Sequence, residues 1–430
     1  MKKKIIAVLL IIMVPLIVGC GNNNDTLNIV KANEINVEFD SDSLSQDNID
    51  SLNEYSIEMA KELLKEHESE NFVTSPFSLW IPLTALGNAT NEAALHKHLE
   101  SLKFKGSNME QINDFAAGLL YKLNNEDYRE YCRENNIEFI DSIYIANALF
   151  LNKKYEAKED FVDVFHNYYK GATMLVDFES DEAKDRVNEW VYDNTDGNIE
   201  DIVDEFDPKT VAALANTIYF KSTWEKEFDK DMNESRLFYG EGEESETEFM
   251  VMDGEQSYFV QDYYEDETLQ MVDFPYTNNA GMMIILPKTA SAYELFMSLD
   301  LDYFNRINRE AKRLSGKTYL PKFKIESGVM NLMDVMEAMG VPLLDGYIGS
   351  LVYADNDLFI SDAYQKAMIE VNEEGTTAAA ATIVEMMETA IEPAENENFL
   401  MDCNKPFIFI LYGDMDNSKQ ILFTGIVTTP

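Results

Sequence analysis

Apolar residues recur along this chain with two different periods. A helical period begins near Tyr55, where one face is lined by Ile57, Ala60, Leu63 and Leu64. The stretches KEDFVDVFHNYYK and NLMDVMEAMG also indicate helices. Six stretches rich in β-branched and aromatic residues predict strands: IDSIYIANALFL, ANTIYF, GMMIILP, KTYLPKFKI, KPFIFILYG and ILFTGIV. Because helices and strands do not alternate regularly, we predict an α+β fold.

A polar segment separates the region with these periods from the N-terminus. Residues 20–50 are rich in Asn, Asp and Ser and poor in large apolar residues, which predicts a flexible tether. From there to Pro430 the sequence has no second linker of this composition and no internal repeat. We therefore predict one large domain over residues 51–430.

The N-terminus has the pattern of an export signal. A basic segment, MKKK, precedes the apolar run IIAVLLIIMVPLIV, which is short for a membrane span. The run ends in IVGC, which looks like a bacterial lipobox with Cys20 as its cysteine. We expect residues 1–19 to be a signal peptide and a diacylated Cys20 to anchor the chain outside the cell, since two acyl chains hold stably. The alternative is an ordinary signal peptide in which Cys20 has no role.

Charge and cysteine content narrow the range of partners. The chain has 34 Lys and Arg against 79 Asp and Glu, a net charge of −45, which repels a phosphate backbone. We therefore expect no nucleic-acid partner, and membrane contact through the lipid anchor only. Cys132 and Cys403 are too few for a disulfide framework. The sequence does not decide whether they pair, although free thiols are favoured.

No recognisable active site is present in the sequence. It lacks the G-x-S-x-G, H-E-x-x-H, P-loop and G-x-G-x-x-G patterns. His96 and His98 are two positions apart and so do not face each other on a helix. We expect both to be solvated rather than metal ligands. The interpretation is a protein without enzymatic activity, metal or cofactor.

The segment EEGTTAAAATIVEMMETAIEP, residues 373–393, has small side chains and no basic residue. Its Ala, Glu and Met content favours a helix, with Thr376 or Thr377 as the cap and Pro393 near the end. Its lack of bulk and basic charge also suits a strand that enters an existing sheet.

Five motifs occur in an order that resembles the serpins, the serine protease inhibitor family: NFVTSPFSLWIPLTALGNAT, IANALFLNKKY, ANTIYFKSTWEKEF, VNEEGTTAAAA and NKPFIFILYG with LFTGIV. The resemblance extends from about residue 51 to Pro430. It implies three β-sheets, eight or nine helices and an exposed reactive-centre loop at about residues 374–398. It also implies a mechanism: a protease cuts the loop, and the cut loop enters the central sheet as a new strand while the protease is still attached.

The resemblance assigns the start of this loop to a hinge of small residues. The hinge consists of Glu373, Gly375, Thr376, Ala378, Ala379, Ala380 and Ala381. Gly375 gives the backbone freedom to bend. Because successive side chains of a strand face opposite ways, the even-numbered residues from Thr376 to Met386 would face inward, and none of them is charged.

The resemblance places the reactive bond about fourteen residues beyond the hinge glycine, between Thr389 and Ala390. Met387 and Glu388 are alternates, because the stretch that follows is longer than usual. No Lys or Arg occurs in residues 376–399, so trypsin-like targets are not expected. Thr389 suits an elastase-like pocket, Met387 a chymotrypsin- or subtilisin-like one, and Glu388 a glutamyl endopeptidase.

Other residues match regions that control loop insertion in the family. Ser75, Ser78 and Asn216 match the shutter beneath the central sheet, where Gln365 replaces the usual histidine. Trp224 matches the breach, where the loop first enters. The alternative interpretation is that these residues are helix caps and core residues.

The resemblance therefore predicts a monomeric, irreversible inhibitor of serine endopeptidases. The alternative is a non-inhibitory serpin-fold lipoprotein that acts as a carrier, chaperone or adhesin. Such proteins typically carry bulky, charged or proline residues in the hinge, and this chain does not.

Overall fold

A computed structural model describes residues 37–430, except 136–142, 196, 198, 200, 243, 255–258, 343–350, 353–359, 361, 377–397, 416 and 417. These residues form helices and strands in three sheets, which confirms the α+β class. The predicted signal peptide and Cys20 lie outside the described residues.

Ten α-helices occur among the described residues. They are α1 (Gln46–Leu64), α2 (Pro76–Leu86), α3 (Glu92–Ser101), α4 (Met109–Leu123), α5 (Glu126–Asn135), α6 (Glu159–Tyr169), α7 (Glu182–Asn194), α8 (Ala292–Ser298), α9 (Leu301–Glu310) and α10 (Met333–Ala338). Several begin at a polar cap. Ser45, Asn91 and Ser291 each accept a hydrogen bond from a backbone N–H in the first turn of their helix.

The first helix begins before the predicted domain boundary. α1 starts at Gln46, and Ile49 and the preceding Phe39 are both buried. The described part of the predicted tether therefore packs against the domain. Composition did not reveal this, because Asn, Asp and Ser also serve as helix caps and solvent-facing residues.

Ten strands form the largest sheet. They are β1 (Phe72–Thr74), β6 (Glu234–Tyr239), β7 (Glu244–Asp253), β8 (Gln261–Glu265), β9 (Leu269–Pro275), β10 (Ala280–Pro287), β11 (Lys312–Pro321), β17 (Asn398–Asp402), β18 (Phe407–Asp414) and β19 (Lys419–Val427). Their order is β1-β19-β18-β10-β9-β8-β11-β7-β6, and β17 pairs with β11.

The other two sheets have five and four strands. The five are β2 (Ile143–Asn152), β3 (Gly171–Val176), β4 (Ala212–Phe220), β13 (Met330–Asn331) and β14 (Asp362–Gln365), in the order β13-β14-β4-β2-β3. The four are β5 (Ser222–Thr223), β12 (Phe323–Glu326), β15 (Met368–Val371) and β16 (Gly375–Thr376), in the order β12-β15-β16-β5. Three chain segments run through both sheets, so we call the two together the central sheet.

The predicted strands are present, with one correction. KTYLPKFKI was expected to be one strand but forms two, since β11 ends at Pro321 and β12 begins at Phe323. The chain changes sheets at this point: β11 belongs to the largest sheet and β12 to the central sheet. Hydrophobic periodicity does not show such a change, because both strands face the core.

Both faces of the central sheet are covered by apolar residues. Leu214 and Ile218 of β4 belong to the main core, which includes residues of the largest sheet. Their neighbours Ala213 and Ala215 belong to a smaller core that includes Val187 of α7. Side chains of β4 therefore alternate between the two cores, and a strand added beside β4 would alternate in the same way.

Candidate functional site

The central sheet contains a break in its hydrogen-bonded ladders. β4 pairs with β14 over Ala213–Ala215, and with β2 along its other edge. Beyond this point, from Asn216 to Phe220, β4 has no second ladder among the described strands. β15 likewise pairs with β12 on one edge and with Thr376 alone on the other. We call the interval between Asn216–Phe220 and Met368–Val371 the ladder gap.

A buried cluster lies where β14 ends, at the lower end of the ladder gap. The Gln365 side chain accepts hydrogen bonds from Thr74 Oγ1 (2.7 Å) and Ser75 N (3.2 Å). Its amide donates to Ser75 O (2.8 Å) and Ser78 Oγ (3.1 Å). Gln365 therefore connects the central sheet to the start of α2. Ser75 is also the N-cap of α2, so the helix-cap interpretation holds alongside the cluster.

Asn216 has a different partner from the one its predicted role suggests. Its Nδ2 donates to Asn147 Oδ1 (2.6 Å), because the two residues lie opposite each other in the β2–β4 ladder. Asn147 in turn donates to Tyr169 O (3.2 Å). The structure thus brings Ser75, Ser78 and Gln365 together by hydrogen bonds and leaves Asn216 in a neighbouring pair.

The first hinge residues occupy the upper end of the ladder gap. Gly375 and Thr376 form β16, which runs antiparallel to both β5 and β15. A side chain at position 375 is excluded, because a Cβ there would lie 2.0 Å from Ser222 O. Thr376 is 1% exposed, so its side chain faces the interior.

Trp224 contacts the backbone of the hinge. Its indole Nε1 donates to Asn372 O (2.9 Å), and its backbone N–H donates to Glu374 O (3.0 Å). Its ring stacks on Tyr276, with the ring centroids 4.3 Å apart. The structure therefore places Trp224 beside the point where the chain turns from β15 into β16.

Two acidic residues connect the hinge to the surrounding chain. Glu373 accepts a hydrogen bond from Asn233 Nδ2 (2.6 Å) and lies 3.1 Å from Lys322 Nζ. Glu374 is paired with Lys230 at 2.6 Å. Burial acts to raise the pKa of Glu373, but its hydrogen bonds and Lys322 outweigh this and hold the pKa below the ordinary 4.5. Glu373 is therefore ionised at neutral pH.

The remaining loop predictions lie outside the described residues. They are the hinge residues Ala378, Ala379, Ala380 and Ala381, the bond between Thr389 and Ala390, and the alternates Met387 and Glu388. The helix predicted within residues 373–393 also lies outside the described residues, except for residues 373–376. These four form a turn and β16 instead of the start of a helix.

Three contacts of the hinge were not predicted. Tyr276 follows β9, and its hydroxyl shares a hydrogen bond with Thr376 Oγ1. Asn372 Oδ1 accepts hydrogen bonds from the backbone of Glu374 (3.0 Å) and of Gly375 (3.2 Å). Lys322 is the third. Tyr276 and Lys322 meet the hinge only in the folded chain, and Asn372, although it lies in the motif VNEEGTTAAAA, meets it through a turn.

Other predicted features can be compared with the described residues. Cys132 and Cys403 are both buried free thiols, as the sequence favoured. No group of three or more His, Cys, Asp or Glu side chains in the described part of the chain is arranged to hold a metal ion. None of its helices is both long enough and apolar enough to cross a membrane.

Comparison with known proteins identifies the family. The model of the family described as Serpin (serine protease inhibitor) matches residues 50–430. An uncharacterized serpin-like protein of Thermococcus kodakarensis is 30% identical over 388 residues, covering 89% of this chain and 85% of that protein. Serpin A3-1 of Bos taurus is 27% identical over 404 residues, covering 91% and 90%.

Solved structures agree with this match. The crystal structure of the thermophilic serpin tengpin in its native state has a TM-score of 0.76 and 25% identity, covering 90% of this chain and 95% of that chain. Human glycosylated kallistatin shares the fold, with a TM-score of 0.75 at 22% identity over 91% of this chain. This chain belongs to the serpin family.

Proposed function

We propose that this chain is an irreversible, suicide-type inhibitor of serine endopeptidases, with elastase-like enzymes as its preferred targets. The observation that carries the proposal is the ladder gap, whose upper end already holds Gly375 and Thr376 from the start of the loop. Cleavage of the loop would release its following residues to fill the rest of the gap. The attached protease would be carried along and its active site distorted.

The register of β16 supports insertion of the loop along the ladder gap. Thr376 is paired with β5 on one side and with β15 on the other. If the same register continued, Ala378 would lie between Phe220 and Ile369, and Ala380 would lie opposite Ile218. These positions suit alanine because the neighbouring side chains are bulky and belong to the main core.

The direction in which the side chains of the new strand would point also supports insertion. In this register the even-numbered loop residues lie opposite even-numbered residues of β4, such as Leu214, which point into the main core. The buried Thr376 already follows this rule. No even-numbered residue is charged before Glu388, so the segment can enter the main core without burying an unpaired charge there.

The free energy of insertion is sufficient for an irreversible step. Roughly a dozen new backbone hydrogen bonds, at about 0.5–1.5 kcal/mol each, contribute on the order of 10 kcal/mol. This compares with a total stability of about 5–15 kcal/mol for an ordinary domain. An inserted loop is therefore strongly favoured over an exposed one at equilibrium.

The loop sequence indicates the class of protease. Residues 376–399 contain no Lys or Arg, so the buried Asp of a trypsin-like pocket would find no cation. We propose Thr389–Ala390 as the reactive bond, which suits the shallow pocket of an elastase-like enzyme. Cleavage after Met387 or Glu388 would instead indicate a chymotrypsin- or subtilisin-like enzyme or a glutamyl endopeptidase.

We also propose that the inhibitor is displayed on the outside of a bacterial cell. Its support is the sequence IVGC after a short apolar run, which would leave a diacylated Cys20 at the mature N-terminus. Labelling of expressing cells with a radioactive fatty acid tests this. A Cys20→Ser variant should lose the label, and a label that persists would contradict the anchor.

The inhibitory function is tested by mixing the purified domain with elastase. We expect a complex that survives boiling in SDS, with trypsin as the control enzyme that forms none. Sequencing of the released C-terminal fragment identifies the cleaved bond. A loop that elastase cuts without forming a complex would contradict inhibition and favour the non-inhibitory carrier, chaperone or adhesin.

A further inference from the structure

We propose that Tyr276 is a positioning residue for loop insertion, because its hydroxyl holds Thr376 in the central sheet before any protease arrives. The proposal rests on the inhibitory function proposed above. It assigns a specific role to a side chain outside the loop and outside the hinge.

The two hydroxyl groups meet in the interior of the protein. Tyr276 Oη and Thr376 Oγ1 share a hydrogen bond of 2.5 Å. Tyr276 is 4% exposed and Thr376 is 1% exposed. Among the described residues, Thr376 is the one hydrogen-bond partner of the Tyr276 hydroxyl. Each hydroxyl therefore relies on the other as its hydrogen-bond partner, since water has little access to either.

The ring of Tyr276 is also held in place by residues outside the hinge. It stacks on Trp224 at an interplanar angle of 13° and meets the edge of Phe220 at 4.9 Å between ring centroids. The backbone N–H of Tyr276 donates to Ala280 O (3.0 Å). The hydroxyl is consequently a fixed point, and the hinge is the part that can move relative to it.

Withdrawal of Thr376 from the sheet would therefore be unfavourable. The Tyr276 hydroxyl would remain buried without a partner, which costs more than the loss of an exposed hydrogen bond. Insertion of the following residues in the same register would keep Thr376 in its place. The hydrogen bond thus disfavours a hinge in which Thr376 has left the sheet. It is compatible with the seated hinge, in which Thr376 is paired as in β16, and with the inserted loop, in which the following residues are paired as well.

A seated hinge affects the outcome of each encounter with a protease. Once the loop is cut, insertion competes with hydrolysis of the acyl-enzyme, which frees the protease and consumes the inhibitor. A hinge that already occupies the sheet has fewer residues to order before insertion proceeds. Tyr276 should therefore lower the number of inhibitor molecules consumed for each protease trapped.

The matched variants are Tyr276→Phe and Thr376→Val, which remove one hydroxyl each and keep the size of the side chain. Amide hydrogen exchange at residues 375 and 376 of the uncleaved protein is measured in each and in the double variant. We expect about fivefold faster exchange in either single variant, the change typical of one lost hydrogen bond, and no further increase in the double. Tyr412→Phe is the control, because it removes another buried hydroxyl, bonded to Asp273 at 2.7 Å.

The second measurement is the number of inhibitor molecules consumed per elastase molecule inactivated. It should rise in Tyr276→Phe and stay unchanged in Tyr412→Phe. The proposal would be overturned if Tyr276→Phe had the same amide exchange rates as the wild type and consumed the same number of inhibitor molecules per elastase. If the wild-type protein forms no stable complex, the proposed function fails, and the exchange experiment alone decides whether Tyr276 holds the hinge.

Discussion

Glu373 keeps an ionised carboxylate in a position that is almost closed to solvent. It is 7% exposed and is held by Asn233 and Lys322, while its backbone carbonyl accepts a hydrogen bond from Phe228 N (3.0 Å). Lys322 also contacts Glu248, so its charge is shared between two carboxylates. The charge of Glu373 therefore matters for how firmly the hinge is attached.

This arrangement predicts a pH-dependent hinge. Because the folded-state pKa of Glu373 is lowered, its ionised form stabilises the fold above the ordinary pKa of 4.5, and this stabilisation is lost as the pH falls through the lowered value. Glu373→Gln should lower the free energy of unfolding by about 1–2 kcal/mol at neutral pH and by less near pH 3. Urea unfolding of both proteins at the two pH values measures the difference, and an equal loss at both would contradict it.

The prediction that His98 is solvated was wrong. We expected both His96 and His98 to be solvated, but only His96 is exposed. His98 is fully buried, and its Nε2 donates to Leu83 O at 2.9 Å. Burial lowers the pKa of His98 from 6.5 to about 4. His98 shares the buried face of α3 with Ala94 and Leu99. The expectation was wrong because it followed the polar cluster HKH rather than this helical spacing.

His98 should make the whole fold sensitive to acid. Its folded-state pKa is lowered, so the stabilisation is complete above pH 6.5 and is lost as the pH falls towards 4. The loss should reach about 3 kcal/mol. Unfolding measured across this range should show a weaker pH dependence in His98→Gln than in the wild type. His96→Gln is the control, and an identical slope in all three proteins would show that the pKa of His98 is the same in the folded and unfolded states.

At the scale of elements, the sequence predicted which segments form strands better than how they join. Most predicted strands are present, and β4 contains all of ANTIYF. Sequence did not show that, among the described residues, the segment holding β14 and β15 pairs with β4 at one end only. That feature depends on ladders between residues far apart, such as Asp362 with Ala213.

The residues of the candidate site were likewise predicted better than the contacts between them. Gln365, Ser75 and Ser78 were predicted together and lie together. Tyr276 was missed, because it contacts a residue 100 positions later and carries no motif of its own. Asn216 was predicted as part of the same cluster, but register in the β2–β4 ladder gives it Asn147 as partner.

The alternation of a strand predicts different effects for two adjacent substitutions in the loop. Ala380→Arg would bring a cation to the main-core face of the inserted strand, and the cost of burying it should stop insertion. We expect elastase to cut this variant as a substrate without forming an SDS-stable complex. Ala381→Arg, on the opposite face, is the matched control and should retain more inhibition. Equal inhibition by Ala380→Arg and the wild type would count against insertion.

At the scale of the whole molecule, the described strands of the central sheet leave the ladder gap without a second ladder. Cleavage should therefore produce a more stable molecule. With on the order of 10 kcal/mol gained, the melting temperature should rise by on the order of 10 °C or more. Differential scanning calorimetry before and after limited cleavage near Thr389 measures this. An unchanged melting temperature would mean that no strand has been added.

The ladder gap also limits what the protein can tolerate around it. Where two neighbouring strands have no ladder between them, as the described strands β4 and β15 do at the ladder gap, their edges can accept an extended chain with a suitable pattern of side chains. A free peptide that copies the loop, or the loop of a second molecule, would complete the sheet as well as the protein's own loop does. Such a molecule would resist heat and denaturant but could no longer arrest an enzyme, so a gain in stability would report lost activity.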